Sequence, residues 1–160
     1  MKEFINRLSL TSIDFAWPAA FALPLWITWG RSFFDAGGWV MLIMTVTVMP
    51  LMFALLVSCA TNINRARKRG AKNATFLQLG YWLSATYISG IVLGLSLLDF
   101  GDSSTTATSI LTEQLGWSIG ASAAISGISG LVFACAIIGA AINAASTLRR
   151  FDREKSNVNA

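Results

Sequence analysis

The sequence contains no histidine, few charged residues and only two cysteines. The missing histidine removes the commonest general base and metal ligand, and the usual axial ligand of haem. Cys59 and Cys135 lie 76 positions apart and no CxxC motif is present, so no zinc ribbon or thiol-redox site is expected. We therefore expect a protein that is not an enzyme. Its cofactor stays unassigned, because a quinone or pigment needs only an apolar groove.

Charged residues make up 12% of the 160 positions, whereas apolar residues make up 54%. A soluble domain carries about twice this charged fraction, so the composition predicts an integral membrane protein. Four apolar stretches, at about 13–30, 39–61, 76–98 and 116–146, are each near the length of a membrane-spanning helix. They do not alternate in polarity as barrel strands do. The expected fold is all-α: a single domain over 1–160, formed by a compact bundle of four transmembrane helices.

Lysine and arginine alternate with the predicted topology. The N-terminal segment, the loop between spans two and three and the C-terminal tail carry net charges of +1, +5 and +2. The loop between spans one and two is neutral, and the next outer loop carries −3 from Asp99, Asp102 and Glu113. By the positive-inside rule, both termini are cytoplasmic, which suits a prokaryotic inner membrane. Trp29, Trp39 and Trp117 fall at the predicted outer ends of spans, where aromatic rings favour the headgroup level.

The first residues, MKEFINRLSL, place Phe4, Ile5 and Leu8 apart from the charged side chains. This pattern is typical of a short interfacial helix at the N-terminus. Asp14 follows Thr11 and Ser12, and we interpret it as an acidic residue in the first turn of span one, where the helix dipole favours negative charge.

Small residues dominate span four, and two GxxxG patterns occur. In lipid, small residues allow helix backbones to approach closely, so they predict helix packing, with span three against span four. A narrow pore or a ligand slot lined by the same residues is the alternative. The predicted helix-packing positions are Gly90, Gly94, Gly116, Gly120, Gly127, Gly130 and Ala134.

Pro24 and Pro50 interrupt spans one and two. Each removes a backbone hydrogen bond and is expected to kink its helix. Kinks of this kind are common in membrane helices that only pack, but they also occur at gates, so these two prolines are the candidate gate positions.

A basic run, NINRARKRGAKN, connects spans two and three. As a cytoplasmic loop it fixes topology and is expected to contact anionic headgroups. A protein partner is a second interpretation. Nucleic acid is not expected, because no aromatic residues are interleaved with the charges. The residues concerned are Arg65, Arg67, Lys68, Arg69 and Lys72.

Three functions fit these features, in this order. The first is an accessory or structural subunit that packs in a larger membrane complex through its small-residue helix faces. The expected partners are other membrane subunits or further copies of the chain. The second is a homo-oligomeric channel or small transporter, although no ionisable residue lies in the centre of a predicted span. The third is a membrane effector or sensor whose basic loop binds a cytoplasmic ligand.

Overall fold

The computed structural model describes residues 2–34, 38–100 and 107–158, and this part of the chain is mostly helical. Asp35 and Asp102, which enter the charge count above, lie outside it. The helices are α1 (Lys2–Asp14), α2 (Ala16–Trp29), α3 (Trp39–Val46), α4 (Val48–Lys68), α5 (Leu77–Ser96), α6 (Ile110–Leu115) and α7 (Ile119–Val158). Two short antiparallel strands, β1 (Asp99–Phe100) and β2 (Ala107–Thr108), pair between α5 and α6. Short 3₁₀ helices cover Gly30–Phe34 and Asn73–Phe76.

Three helices are long and apolar enough to cross a membrane, at Val48–Lys68, Leu77–Ser96 and Ile119–Arg150. A fourth candidate is the pair Asn6–Asp14 and Ala16–Phe34, which are bent by 83° relative to each other. The described chain is thus compatible with an integral membrane protein of three or four spans.

Prolines explain why the first predicted span begins later than expected and why the second is interrupted. A proline ring clashes with the carbonyl four residues earlier. Pro18 lies four residues after Asp14, where α1 ends, and Pro50 lies four residues after Val46, where α3 ends. The first span therefore does not begin at residue 13, and the predicted continuous stretch 39–61 consists of two helices that meet at Thr47. Pro24 lies inside α2, which continues through it.

The basic run was wrongly interpreted as a loop over its whole length. Helix α4 continues through Lys68, so Arg65 and Arg67 lie in its last turn. The turn itself begins at Arg69 and Gly70, and Gly70 adopts a φ of +93° that residues other than glycine rarely tolerate. The final basic residues of α4 suit the negative end of the helix dipole.

Helix α7 is much longer than the predicted stretch 116–146. Its 40 residues correspond to ~60 Å, about twice the thickness of a bilayer core. The last part of α7 therefore extends beyond any single membrane crossing.

The core consists of two clusters stacked along the helices. One cluster joins the C-terminal half of α4 with the start of α5 and the later part of α7. The other joins α2, the first half of α4, the end of α5 and the middle of α7. The best-buried members are Ile13, Cys59, Ala60, Ala66, Phe76, Leu79, Leu83 and Ala140 in the first cluster, and Ala20, Ile27 and Leu56 in the second.

Helix α1 crosses α5 at a close contact between Ser9 and Gly80. A Cβ atom at Gly80 would lie 2.8 Å from the carbonyl carbon of Ser9, so only glycine fits. Ser9 Oγ donates to the carbonyl of Leu77 at 2.7 Å, and the hydroxyls of Ser12 and Ser84 lie 2.6 Å apart. The N-terminal helix is thus attached to the bundle by hydroxyl hydrogen bonds as well as by apolar packing.

Candidate functional site: a buried ion pair and an open helix face

Arg31 and Asp99 form an ion pair that no part of the sequence pattern predicted. Arg31 Nη2 lies 3.0 Å from Asp99 Oδ2, and both side chains are fully buried. Arg31 Nη1 also donates to the carbonyl of Leu97 at 3.1 Å. The pair links the 3₁₀ helix after α2 to strand β1, which follows α5. Separating the two side chains would leave an uncompensated charge in a buried site, which is costly. The pair therefore holds the end of α2 against the segment that follows α5.

Asp99 also caps helix α3. Its carboxylate accepts hydrogen bonds from the backbone amides of Gly38, Val40 and Met41 at 2.9, 2.7 and 2.9 Å. The first amides of a helix have no partner within the helix, and the dipole there favours negative charge. One carboxylate thus fixes the end of α2, the start of α3 and the end of α5. From the sequence, Asp99 is predicted only as one of three acidic residues of an outer loop. The available signal was that Arg31 and Asp99 follow two spans that end on the same side.

Buried serines connected by hydrogen bonds lie at the same end of the molecule as the ion pair. Ser122 Oγ donates to the carbonyl of Ser96 at 2.7 Å, and the hydroxyls of Ser122 and Ser109 lie 2.7 Å apart. Ser109 also caps α6 in a capping box with Thr112. These bonds attach α6 and the start of α7 to the end of α5.

The two predicted packing glycines of α5 lie close to other helices. A Cβ atom at Gly90 would lie 3.0 Å from Leu23 and 3.1 Å from Phe133, which come from α2 and α7. A Cβ atom at Gly94 would lie 2.7 Å from Cδ1 of Trp26. The indole Nε1 of Trp26 donates to the carbonyl of Ile91 at 3.2 Å. The GxxxG of α5 therefore receives α2, as well as α7.

The predicted packing positions in the fourth apolar stretch differ from those of α5, because most of them do not contact another helix. Gly116 precedes α7 and terminates α6 with a φ of +66°, so it is a helix cap and not a packing position. Nothing lies within 4 Å of a Cβ atom built at Gly120 or Gly127. Gly130 is half-buried, and a Cβ atom built there would lie 3.7 Å from Cδ1 of Leu93 in α5. Ala134 is exposed.

Exposed residues of α7 at alternating spacings of four and three positions form one continuous surface. We call this surface the open face of α7, and it consists of Gly120, Ala124, Gly127, Leu131, Ala134 and Ile138. The buried side of the helix, with Phe133 and Ala140, points the opposite way. The open face has small residues towards its start and larger ones, Leu131 and Ile138, at 68% and 53% exposure further on.

The basic residues at the end of α4 differ in their surroundings, because one of them is paired with an acidic residue of α1. Arg67 Nη2 lies 2.6 Å from Asp14 Oδ1, an ion pair between α4 and the end of α1. Asp14 is the last residue of α1, so the interpretation that it lies in the first turn of span one is wrong. Arg65, Lys68 and Lys72 are exposed.

The two candidate gate prolines lie in different surroundings. Pro24 is buried, and Thr28 Oγ1 donates to its carbonyl at 2.7 Å. Pro50 is exposed in the first turn of α4, where its missing amide costs little. The two prolines therefore do not share one cavity wall.

Within the described ranges there is no group of three or more Cys, Asp or Glu side chains that could hold a metal ion. Cys59 is buried and Cys135 is exposed, and both are free thiols. No known protein family matches this chain, and comparison with curated proteins and with solved structures gave no significant match.

Proposed function

We propose that this protein is a non-enzymatic accessory subunit of a larger membrane complex and that it docks to a neighbouring subunit through the open face of α7. The observation that carries this proposal is the exposure of Gly120, Ala124 and Gly127 on a helix apolar enough to span a membrane. A surface that faces only lipid gains nothing from glycine, because glycine leaves backbone uncovered. A surface that faces another helix gains close backbone contact.

Burial within the chain supports the same conclusion. Only 28% of the apolar stretch of α7 and of α4 is buried, against 50% for α5. The spacing of the open face by four and three residues is the spacing of helices that pack side by side at a small crossing angle. Its small residues would receive larger side chains from a partner.

The arrangement of charge supports cytoplasmic termini. Ala66, near the basic end of α4, belongs to the same core cluster as Ala144 and the neighbouring Leu148 of α7. The basic residues of α4 and Arg149, Arg150 and Arg153 of α7 therefore lie at one end of the bundle, the end expected inside. In this orientation α1, nearly perpendicular to α2, lies at the inner interface, with Phe4 and Phe15 exposed at 70% and 58%.

The native cysteines provide the test. Cys135 borders the open face, one turn from Leu131, and is exposed, whereas Cys59 is 1% exposed. A lipid-soluble maleimide should modify Cys135 of the purified chain. In native membranes Cys135 should be protected, and Cys59 should be unreactive in both samples as the internal control.

The same membranes are then extracted into native lipid discs and analysed by mass spectrometry. Different membrane subunits should accompany this chain. Equal modification of Cys135 in both samples, together with recovery of the chain alone or only with copies of itself, would reject the accessory role. A self-associated chain that passes ions in liposomes would instead support the channel.

A further inference from the structure

Helix α7 carries a groove near its basic end, beyond the last residue of the open face and on nearly the same side of the helix. Its described lining residues all come from one side of the helix: Ile142, Ala145, Ser146, Arg149, Arg150 and Arg153. Ala144 and Leu148, on the other side, pack into the core, so the groove faces away from the bundle. The groove is therefore open to an external ligand.

The chemistry of the groove changes along the helix. Ile142 is 66% exposed and, with Ala145, provides an apolar half. Ser146 marks the change, and its hydroxyl donates to the carbonyl of Asn143 at 2.9 Å. The other half is formed by three exposed arginines, Arg149, Arg150 and Arg153. A ligand that fits both halves has an apolar chain joined to an anionic group.

The three arginines of the groove are available to an external anion. Among the described residues, none of the three guanidinium groups has a hydrogen-bond or ion-pair partner. This differs from Arg67, which is paired with Asp14. No acidic side chain is among the described lining residues. A guanidinium group binds phosphate oxygens in a bidentate manner, so the cluster is suited to a phosphodiester.

The position along α7 identifies the source of that phosphodiester. The apolar sequence of α7 ends at Leu148, directly before Arg149 and Arg150, so the arginines begin where a membrane crossing would end. Phospholipid headgroups occupy this level, and their acyl chains extend into the membrane beside Ile142. We propose that the groove binds an anionic phospholipid, with its phosphate on Arg149, Arg150 and Arg153 and one acyl chain along Ile142 and Ala145. This inference rests on the proposed membrane insertion.

The test measures lipid retention by native mass spectrometry. The purified protein is equilibrated with equal amounts of dioleoyl phosphatidylglycerol and dioleoyl phosphatidylcholine, and the bound fraction of each is compared. The variant Arg149→Gln, Arg150→Gln, Arg153→Gln should lose preferential retention of phosphatidylglycerol by roughly tenfold to a hundredfold, because each basic residue near an anionic headgroup contributes about a fivefold factor. The comparison variant is Arg65→Gln, Lys68→Gln, Lys72→Gln, which removes the same charge from the same end outside the groove; it should lower retention by less than the α7 variant does, because these residues attract headgroups but do not line an apolar groove. Equal losses in both variants would reject the groove as a site.

Three further measurements separate the alternatives. Inorganic phosphate should not displace the lipid, because it lacks an acyl chain, and complete displacement would show an anion site that does not select lipid. Loss of a protein subunit, and not of lipid, from native discs of the α7 variant would identify a protein as the ligand and overturn the proposal. Alkaline carbonate extraction tests membrane insertion. A chain that leaves the membrane contradicts the proposed function, whereas an inserted chain with unchanged lipid retention in the α7 variant contradicts this inference alone.

Discussion

Arg31 Nη2 lies 3.0 Å from Asp99 Oδ2, with both side chains withdrawn completely from solvent. The two residues are far apart in the chain, yet the ion pair joins the end of α2 to the segment after α5. Asp99 simultaneously holds the first amides of α3. The end of the bundle that is expected to face outward is therefore organised by one carboxylate.

Replacing that carboxylate tests its role. Asp99→Asn leaves Arg31 buried without a counter-ion, and removal of one member of a buried pair costs about 3–5 kcal/mol of unfolding free energy. The double variant Arg31→Met, Asp99→Asn keeps an oxygen acceptor for α3 and removes the uncompensated charge, so it should recover most of that loss. Thermal unfolding in detergent micelles measures both. Glu113→Gln, at an exposed position on α6, is the control and should behave as the unmodified protein. A single variant as stable as the double variant would contradict a role for the charge pair.

A side chain larger than that of glycine at position 94 should collide with Trp26, whose indole is held in place by its hydrogen bond to Ile91. Gly94→Ala places a methyl group against the indole and should lower the unfolding free energy by about 1–3 kcal/mol, the usual cost of overpacking. Gly127→Ala is the matched control, because nothing lies near its Cβ position and alanine favours the helix. Tryptophan fluorescence during urea unfolding reports the difference. Equal midpoints for the two variants would mean that Trp26 does not pack on Gly94 as described.

A large side chain at Gly127 should impair complex formation without lowering the stability of the chain. Gly127→Leu should leave the thermal unfolding of the purified chain unchanged, because the added side chain points away from the bundle. It should reduce recovery of partner subunits in native lipid discs by roughly tenfold, since a leucine prevents close backbone approach. Gly127→Ala should retain the partners. Full recovery of partners with the leucine variant would exclude the middle of the open face from the interface.

The basic end of α4 should determine the orientation of the protein in the membrane. Arg65, Arg67, Arg69→Glu replaces three positive charges by negative ones and should invert or scramble the topology. Accessibility of single cysteines introduced at the exposed positions Lys72 and Glu113 distinguishes the two sides of the membrane. Arg65, Arg67, Arg69→Lys is the control and should keep the original orientation. Unchanged labelling in the glutamate variant would indicate that these residues serve binding and not topology.

Several features could be predicted from the chain alone because they depend on composition and local rules. The shortage of charge and the long apolar stretches predicted helices of membrane-spanning character, and three such helices are found. The predicted range 76–98 nearly coincides with α5 because no proline interrupts it. The helix breaks were also within reach of the sequence. Pro18 and Pro50 each lie four residues after a helix end, the distance at which a proline ring meets a carbonyl, but the prediction used only Pro24 and Pro50 as kinks.

The roles of individual small residues were not available from the pattern. Gly90, Gly116 and Gly120 all belong to GxxxG motifs. Gly90 receives side chains from two helices, Gly116 is a cap with positive φ, and Gly120 faces outward. The motif records spacing along one helix, whereas packing depends on which side of that helix the neighbours occupy.

The sequence by itself determined the helical class, the segments with membrane-spanning character and the segregation of positive charge, because each follows from residue types over short distances. The tertiary structure decided which charges pair, which glycines pack and which face of α7 is left open. Asp99 illustrates the reason. Its carboxylate looks like one of several acids in a polar loop, and it becomes a buried structural group only because the fold brings Arg31 and the start of α3 to it.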